Sequence, residues 1–238
     1  MKSQRPAGDR AVLRAWIRAN APHVCAGIAA ADAMNYGQAV AAMEDAGLDF
    51  LHFDIMDGVF CPQLTFGPGL VKSMRTRMLK DVHLMVADPL SHLESFITAG
   101  ADILHVHAEN QPHLHRVLSA MDTFAAQRPV LRGVAINPGT PVACLNAVLP
   151  IADLITVLAV DPGWSSTLAE EALTAKLAEL RRLCAETGCD PLICIDGGIT
   201  PATYPKAAAL KPDLVVSGSA LFRQGASVAE NLSILRGR

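Results

Sequence analysis

Four side chains able to bind a metal or move a proton stand where short apolar runs end. LHFDIMDG carries His52 and Asp54, DVHLM carries His83 and ICIDGG carries Asp196. In an extended chain, residues i and i+2 share a face, so His52 and Asp54 project together. Two imidazoles and two carboxylates make an N₂O₂ set, which suits one divalent ion such as Zn²⁺, Fe²⁺, Mn²⁺ or Co²⁺. One such residue alone is ordinarily a satisfied buried polar group; four at run ends point to a site. His105 and His107 form a second i, i+2 pair, followed by Glu109. As rival ligands they lack another carboxylate at fixed spacing, so hydrogen-bonding roles behind the ligands are expected, with His107 pointing inward. His92, His113 and His115 fall in helical stretches and are expected at the surface.

Glycine-rich turns form a second group. DPGW (161–164) contains Gly163, DGGIT (196–200) contains Gly197 and Gly198, and SGSALF (217–222) contains Gly218 and Ser219. Each follows an apolar run, and exposed backbone N–H groups in such turns can hold a phosphate. Asp57 and Gly58, by contrast, are expected only to shape a turn.

The elements that must position these residues are legible as alternation. Apolar runs at His23–Ile28, Phe50–Asp54, Val82–Met85, Ile103–His107, Leu131–Ile136, Leu154–Val160, Leu192–Asp196 and Leu214–Ser217 read as strands. Helical patterns lie between them at Tyr36–Ala46, Pro89–Ala99, Pro112–Gln127, Leu168–Thr187 and Pro201–Ala209. Strands with little polar alternation, separated by helices, signal a parallel sheet covered on its outer face. AGLDFLHFD, AGADILHVH, PIADLITVL and LKPDLVVSG repeat one plan: a helix end, an Asp, then a strand. Their aspartates, Asp49, Asp102, Asp153 and Asp213, are spaced by two strand–helix units each. Eight units give an α/β fold, the (β/α)₈ TIM barrel, whose active site lies at the C-terminal ends of the strands. One barrel over residues 23–238 is expected, preceded by an extension over 1–22 that contains a helix, Ala11–Ala19. That extension holds Lys2, Arg5, Arg10, Arg14 and Arg18 against Asp9, a pattern also compatible with an organelle transit segment.

The 238 residues are 51% apolar and 18% charged, too hydrophobic for a disordered chain. A net charge of −3 argues against a nucleic-acid partner. No uninterrupted apolar stretch is long enough to cross a membrane. The six cysteines, Cys25, Cys61, Cys144, Cys184, Cys189 and Cys194, include no C-x-x-C pair and read as reduced thiols of a cytoplasmic protein.

With these motifs in order, residues 23–225 resemble the ribulose-phosphate 3-epimerase family, through HFDIMDGVF, LTFGP, DVHLMV, ADILHVHAE, GVAINPGTP, VDPGW, DGGIT and SGSALF. The resemblance implies a metal-dependent barrel of the ribulose-phosphate-binding type that interconverts D-ribulose 5-phosphate and D-xylulose 5-phosphate. It implies His52, Asp54, His83 and Asp196 as ligands, with Asp54 and Asp196 doubling as the acid/base pair. Met56 and Met85 would line the enediolate, and Asn137 and His107 would support the site. Asn137, Gly163, Gly197, Gly198, Gly218 and Ser219 join the two methionines as expected substrate contacts. A small sugar phosphate is the expected partner, and a homo-oligomer, dimer or hexamer, the expected assembly.

Several positions depart from the family's usual pattern. A substrate-contacting Ser of the first strand is replaced by Gly27, and the family's N-P-G-F-G-G-Q reads DPGWSST here, with Asp161, Trp164, Ser165 and Ser166. Leu158 stands for a third Met of the wall, and Gln63 for an Asn. Ser165 and Ser166 still offer backbone N–H groups, whereas Asp161 adds negative charge near a phosphate. The reaction type is thus better retained than the sugar's surroundings. A sister 3-epimerase acting on a hexulose 6-phosphate or a tetrulose phosphate is the alternative. The intact ligand set opposes a non-catalytic sugar-phosphate-binding barrel, and metal content would separate a lyase or decarboxylase barrel that needs no such site.

Overall fold

In the computed structural model, which describes residues 9–125, 128–164 and 170–238, eight parallel strands close into one barrel in chain order. They are β1 (His23–Gly27), β2 (Phe50–Met56), β3 (Leu79–Met85), β4 (Ile103–His107), β5 (Leu131–Ile136), β6 (Leu154–Leu158), β7 (Leu192–Asp196) and β8 (Leu214–Ser217). Helix α1 (Arg10–Ala19) precedes the barrel. Around it lie α2 (Tyr36–Asp45), α3 (Pro68–Ser73), α4 (Leu93–Thr98), α5 (Leu114–Phe124), α6 (Glu170–Thr187), α7 (Tyr204–Ala209) and α8 (Val228–Leu235). The TIM-barrel expectation holds, with local differences. Prolines shift several helix starts: Pro89–Ser91 is a 3₁₀ turn before α4, and α7 begins three residues after Pro201. A 3₁₀ turn, Val142–Leu145, stands between β5 and β6 where the other units carry a helix. β3 begins at Leu79, before the apolar run, because Lys80 and Asp81 are accommodated within the strand.

Strand alternation sorts the side chains into two separate apolar clusters. Outward-facing residues such as Leu51, Phe53, Leu84, Val106, Val134 and Val157 pack against the helices in one of them. Inward-facing residues at the strand starts, Phe50, Leu79, Ile103, Leu131, Leu154, Leu192 and Leu214, form the other, which is the barrel floor. Two residues further along, the interior turns polar on β2, β3, β4 and β6: His52, Asp81, His105 and Thr156 are all buried. Another two residues on come Asp54, His83, His107 and Asp196, at the C-terminal mouth. The middle level needs room. Gly133 pairs with His105 in the β4–β5 register, and a Cβ on Gly133 would lie 2.8 Å from His105 Nδ1.

Helix α1 closes the floor. Asp9 caps it by accepting from the Val12 N–H at 3.0 Å, and Leu13 and Ile17, one turn apart, join the floor cluster. Its arginines meet the repeated aspartates: Arg10 Nη1 lies 3.4 Å from Asp153, and Arg18 Nε 3.4 Å from Asp213. The repeat also has a backbone purpose. Asp102 accepts the Lys80 N–H at 2.8 Å, Asp153 the Arg132 N–H at 3.0 Å and Asp213 the Ile193 N–H at 2.8 Å. Each carboxylate ahead of an even strand thus satisfies a donor near the start of the odd strand beside it. Asp49 instead lies 3.3 Å from His23 Nδ1. The arginines of α1 are therefore occupied with the barrel; residues 1–8, with Lys2 and Arg5, lie outside the described residues.

Candidate active site

β2, β3 and β7 deliver the four sequence-predicted ligands to one place. The ligand atoms of His52, Asp54, His83 and Asp196 all lie within 4.8 Å of one another. His52 Nε2 is 3.2 Å from Asp54 Oδ1 and 3.9 Å from Asp196 Oδ2; His83 Nδ1 is 3.7 Å from Asp54 Oδ1 and 3.2 Å from Asp196 Oδ2. Both imidazoles are fully buried, while Asp54 and Asp196 keep partial access to the mouth. Burial alone would raise the Asp54 carboxyl, but His52 and then His83 hold it well below the usual carboxylate range. For His52, burial disfavours the charged form, yet Asp81 and then Asp54 outweigh it and raise the pKa well above the ordinary value.

The set fits a divalent ion on its own geometry. His83 Nδ1 is buried and has no hydrogen-bond partner, although Asp196 is near. A buried ring nitrogen without a hydrogen-bond partner, set beside two carboxylates, is an arrangement that a cation would satisfy. His52 is oriented from behind: its Nδ1 lies 2.6 Å from Asp81 Oδ2, which leaves Nε2 facing the cluster. The other Asp81 oxygen takes His105 Nε2, and His105 Nδ1 is 2.7 Å from Thr156 Oγ1. His83 is backed by His107 instead, with the two Nε2 atoms 2.9 Å apart. His105 and His107 therefore stand behind the ligands, in the supporting roles read from the sequence. Asp81 and Thr156 escaped that reading. The signal for Asp81 was present, since it stands at i−2 from His83 on the same strand face.

Beside the cluster opens a cavity of about 360 Å³. Asp54, His83 and Asp196 line one side, with Met56 and Met85 adjacent; Gly197, Gly198, Gly218 and Ser219 line it as well. Gly163, Gly27, Gln63, Leu158, Asp161 and Trp164 complete its wall. Gly197 has φ +97°, and a Cβ there would lie 2.4 Å from Val160 Cγ2, so no other residue fits that turn. Asn137 does not line the cavity: its N–H donates to Glu109 at 2.6 Å and its carbonyl accepts from Lys176 Nζ at 2.7 Å. Ser165 and Ser166 lie outside the described residues. Asp57 does shape a turn, accepting the Val59, Phe60 and Ala87 N–H groups. Among the described residues, no lysine or arginine lines the cavity.

Comparison with known proteins bears on what this arrangement does. The model of the ribulose-phosphate 3 epimerase family matches residues 23–222. The chain is 40% identical over 199 residues to the chloroplastic ribulose-5-phosphate-3-epimerase of Arabidopsis thaliana, covering 82% of this chain and 69% of that one. It is 38% identical to the ribulose-phosphate 3-epimerase of Synechocystis, covering 84% and 86%. A putative epimerase of Salmonella paratyphi A, LsrE, is 38% identical, covering 79% and 76%. Among solved structures, a mutant tryptophan synthase alpha-subunit of Pyrococcus furiosus superposes with a TM-score of 0.64 at 13% identity, over 91% and 98% of the two chains. That last likeness concerns the fold alone.

Proposed function

Since the chain belongs to the ribulose-phosphate 3-epimerase family, we propose that it inverts C3 of a ketose phosphate, converting D-ribulose 5-phosphate into D-xylulose 5-phosphate. The observation that carries the reading is the clustering of His52, Asp54, His83 and Asp196, the last three of which line one glycine-walled cavity. Inversion requires that a proton be taken from C3, beside the carbonyl, and another be returned to the opposite face. Asp54 and Asp196 come from β2 and β7, on different sides of the mouth, so one acts as base and the other as acid. Such catalysis supplies about 10²- to 10⁴-fold. A divalent ion, Zn, Fe, Mn or Co, held by His52, Asp54, His83 and Asp196 would supply charge stabilisation to the substrate's oxygens. Met56 and Met85 keep water from the reacting carbon. Gly163, Gly197, Gly198, Gly218 and Ser219 would cradle the phosphate, whose binding holds the sugar in register.

The test is an NMR assay in D₂O with metal-replete protein and D-ribulose 5-phosphate. Xylulose 5-phosphate should form with deuterium at C3. Neither product nor label, in protein shown to hold metal, would overturn this substrate. A second reading, a hexulose 6-phosphate or tetrulose phosphate, rests on the cavity-lining positions that depart from the family's usual pattern, Gly27, Leu158, Asp161 and Trp164, which would reshape the space around the sugar. Faster turnover of either sugar in the same assay would select it.

No helix among the described residues is long and apolar enough to cross a membrane. All six cysteines are free, which suits a reducing compartment such as cytoplasm. A homo-oligomer completes the proposal, supported by exposed Met34, Val59 and Leu64 on loops after β1 and β2. Its mass in solution tests that part.

A further inference from the structure

Behind His83 runs a chain of hydrogen bonds whose direction is fixed at its far end. Glu109 Oε1 accepts from the Asn137 backbone N–H at 2.6 Å and from the Thr140 hydroxyl. Its Oε2 lies 2.9 Å from His107 Nδ1. A backbone N–H can only donate, so the carboxylate acts purely as an acceptor, and the proton of neutral His107 belongs on Nδ1. His107 Nε2 is then a lone pair. It faces His83 Nε2 at 2.9 Å, so His83 donates from Nε2 and, as a neutral ring, holds its lone pair on Nδ1. That is the nitrogen that faces Asp54 and Asp196, at 3.7 and 3.2 Å.

The loop holding Glu109 in place is itself fixed. Lys176 of α6 donates from Nζ to the carbonyls of Asn137, Pro138 and Thr140, each at 2.7 Å. His107 is buried, with Nδ1 directed at Glu109. Phe60 covers its ring, with centroids 4.6 Å apart.

We infer that Glu109, which touches neither the ligand set nor the cavity, is a positioning residue that sets the tautomer of His83 through His107 and so makes Nδ1 available to a metal ion. The inference deepens the proposed metal site and rests on it. Replacing Glu109 by Gln turns one end of the acceptor into a donor. The Asn137 N–H cannot move away, so the amide nitrogen turns toward His107. His107 then carries its proton on Nε2, and His83 must protonate Nδ1, blocking the ligating lone pair.

The experiment is a Zn²⁺ titration of wild-type, E109Q and T140V proteins, with imidazole ¹⁵N spectra recorded before and after loading. T140V removes one donor to Glu109 without reversing the chain, and so controls for loosening of the loop. E109Q should bind Zn²⁺ about 10- to 100-fold more weakly, with the His107 proton on Nε2 in the Zn-free spectrum. T140V should keep that proton on Nδ1 and lose less affinity. Binding by E109Q within about twofold of wild type would overturn the inference. So would weakening in both variants with His107 still protonated on Nδ1. Wild-type protein that takes up no Zn²⁺, Mn²⁺, Fe²⁺ or Co²⁺ would instead sink the metal reading beneath it.

Discussion

The two ends of the barrel interior are built to opposite rules. At the floor, seven strand-start residues pack with Leu13 and Ile17 of α1 into an apolar layer, and charge is confined to its rim. At the mouth, Asp54, His83 and Asp196 crowd together with His52 from the level beneath, all four able to take charge. Between them the buried His52–Asp81–His105–Thr156 level consumes interior volume that hydrophobic packing would ordinarily fill. The floor stabilises through burial, at about 1.5–3 kcal/mol for each large side chain. The mouth costs stability, because desolvated charge is retained only where partners compensate it. Stability and chemistry are thus stacked along one axis, and α1 adds to the end that is not reacting.

Substitutions can break this division. The largest effect belongs to the mouth: Asp54→Asn or Asp196→Asn should lower turnover about 10³-fold while thermal unfolding stays near that of the wild type. A Tm loss matching a floor variant would erase the contrast. At the floor, Ile17→Ala should cost about 2–5 kcal/mol in denaturant unfolding and leave turnover per folded molecule unchanged. Gly133→Ala sharpens the comparison from between the ends. Its Cβ would press on His105, 2.8 Å away, costing about 1–3 kcal/mol and weakening metal binding as well, since His105 shares Asp81 with His52. Loss of stability without loss of affinity would detach the middle level from the site. The smallest effect is at the rim: Arg18→Ala should cost under about 1 kcal/mol, vanishing in concentrated salt.

The sequence revealed the ends of this axis better than its middle. Eight apolar runs and the repeated aspartates sufficed for the barrel, because outward strand faces and strand starts are both hydrophobic. The ligands were legible because His52, Asp54, His83 and Asp196 end such runs. Asp81 was hidden by the same rule: beginning the third strand at Val82 leaves it in a turn, although the strand starts at Leu79. The repeat was visible but not its purpose, since Asp102, Asp153 and Asp213 bond to backbone that pairing alone brings near. Nor does spacing tell that the arginines of α1 face Asp153, Asp190 and Asp213, which lie far along the chain.

The central claim is that the mouth's four side chains hold one ion together. Elemental analysis should be run on protein equilibrated with Zn²⁺, Mn²⁺, Fe²⁺ or Co²⁺ and then freed of excess, beside His83→Ala and Asp196→Asn. One ion per wild-type chain, with occupancy falling sharply in both variants, is the expected result. Full occupancy in either variant, or no ion in the wild type with any of the four metals, would contradict the account.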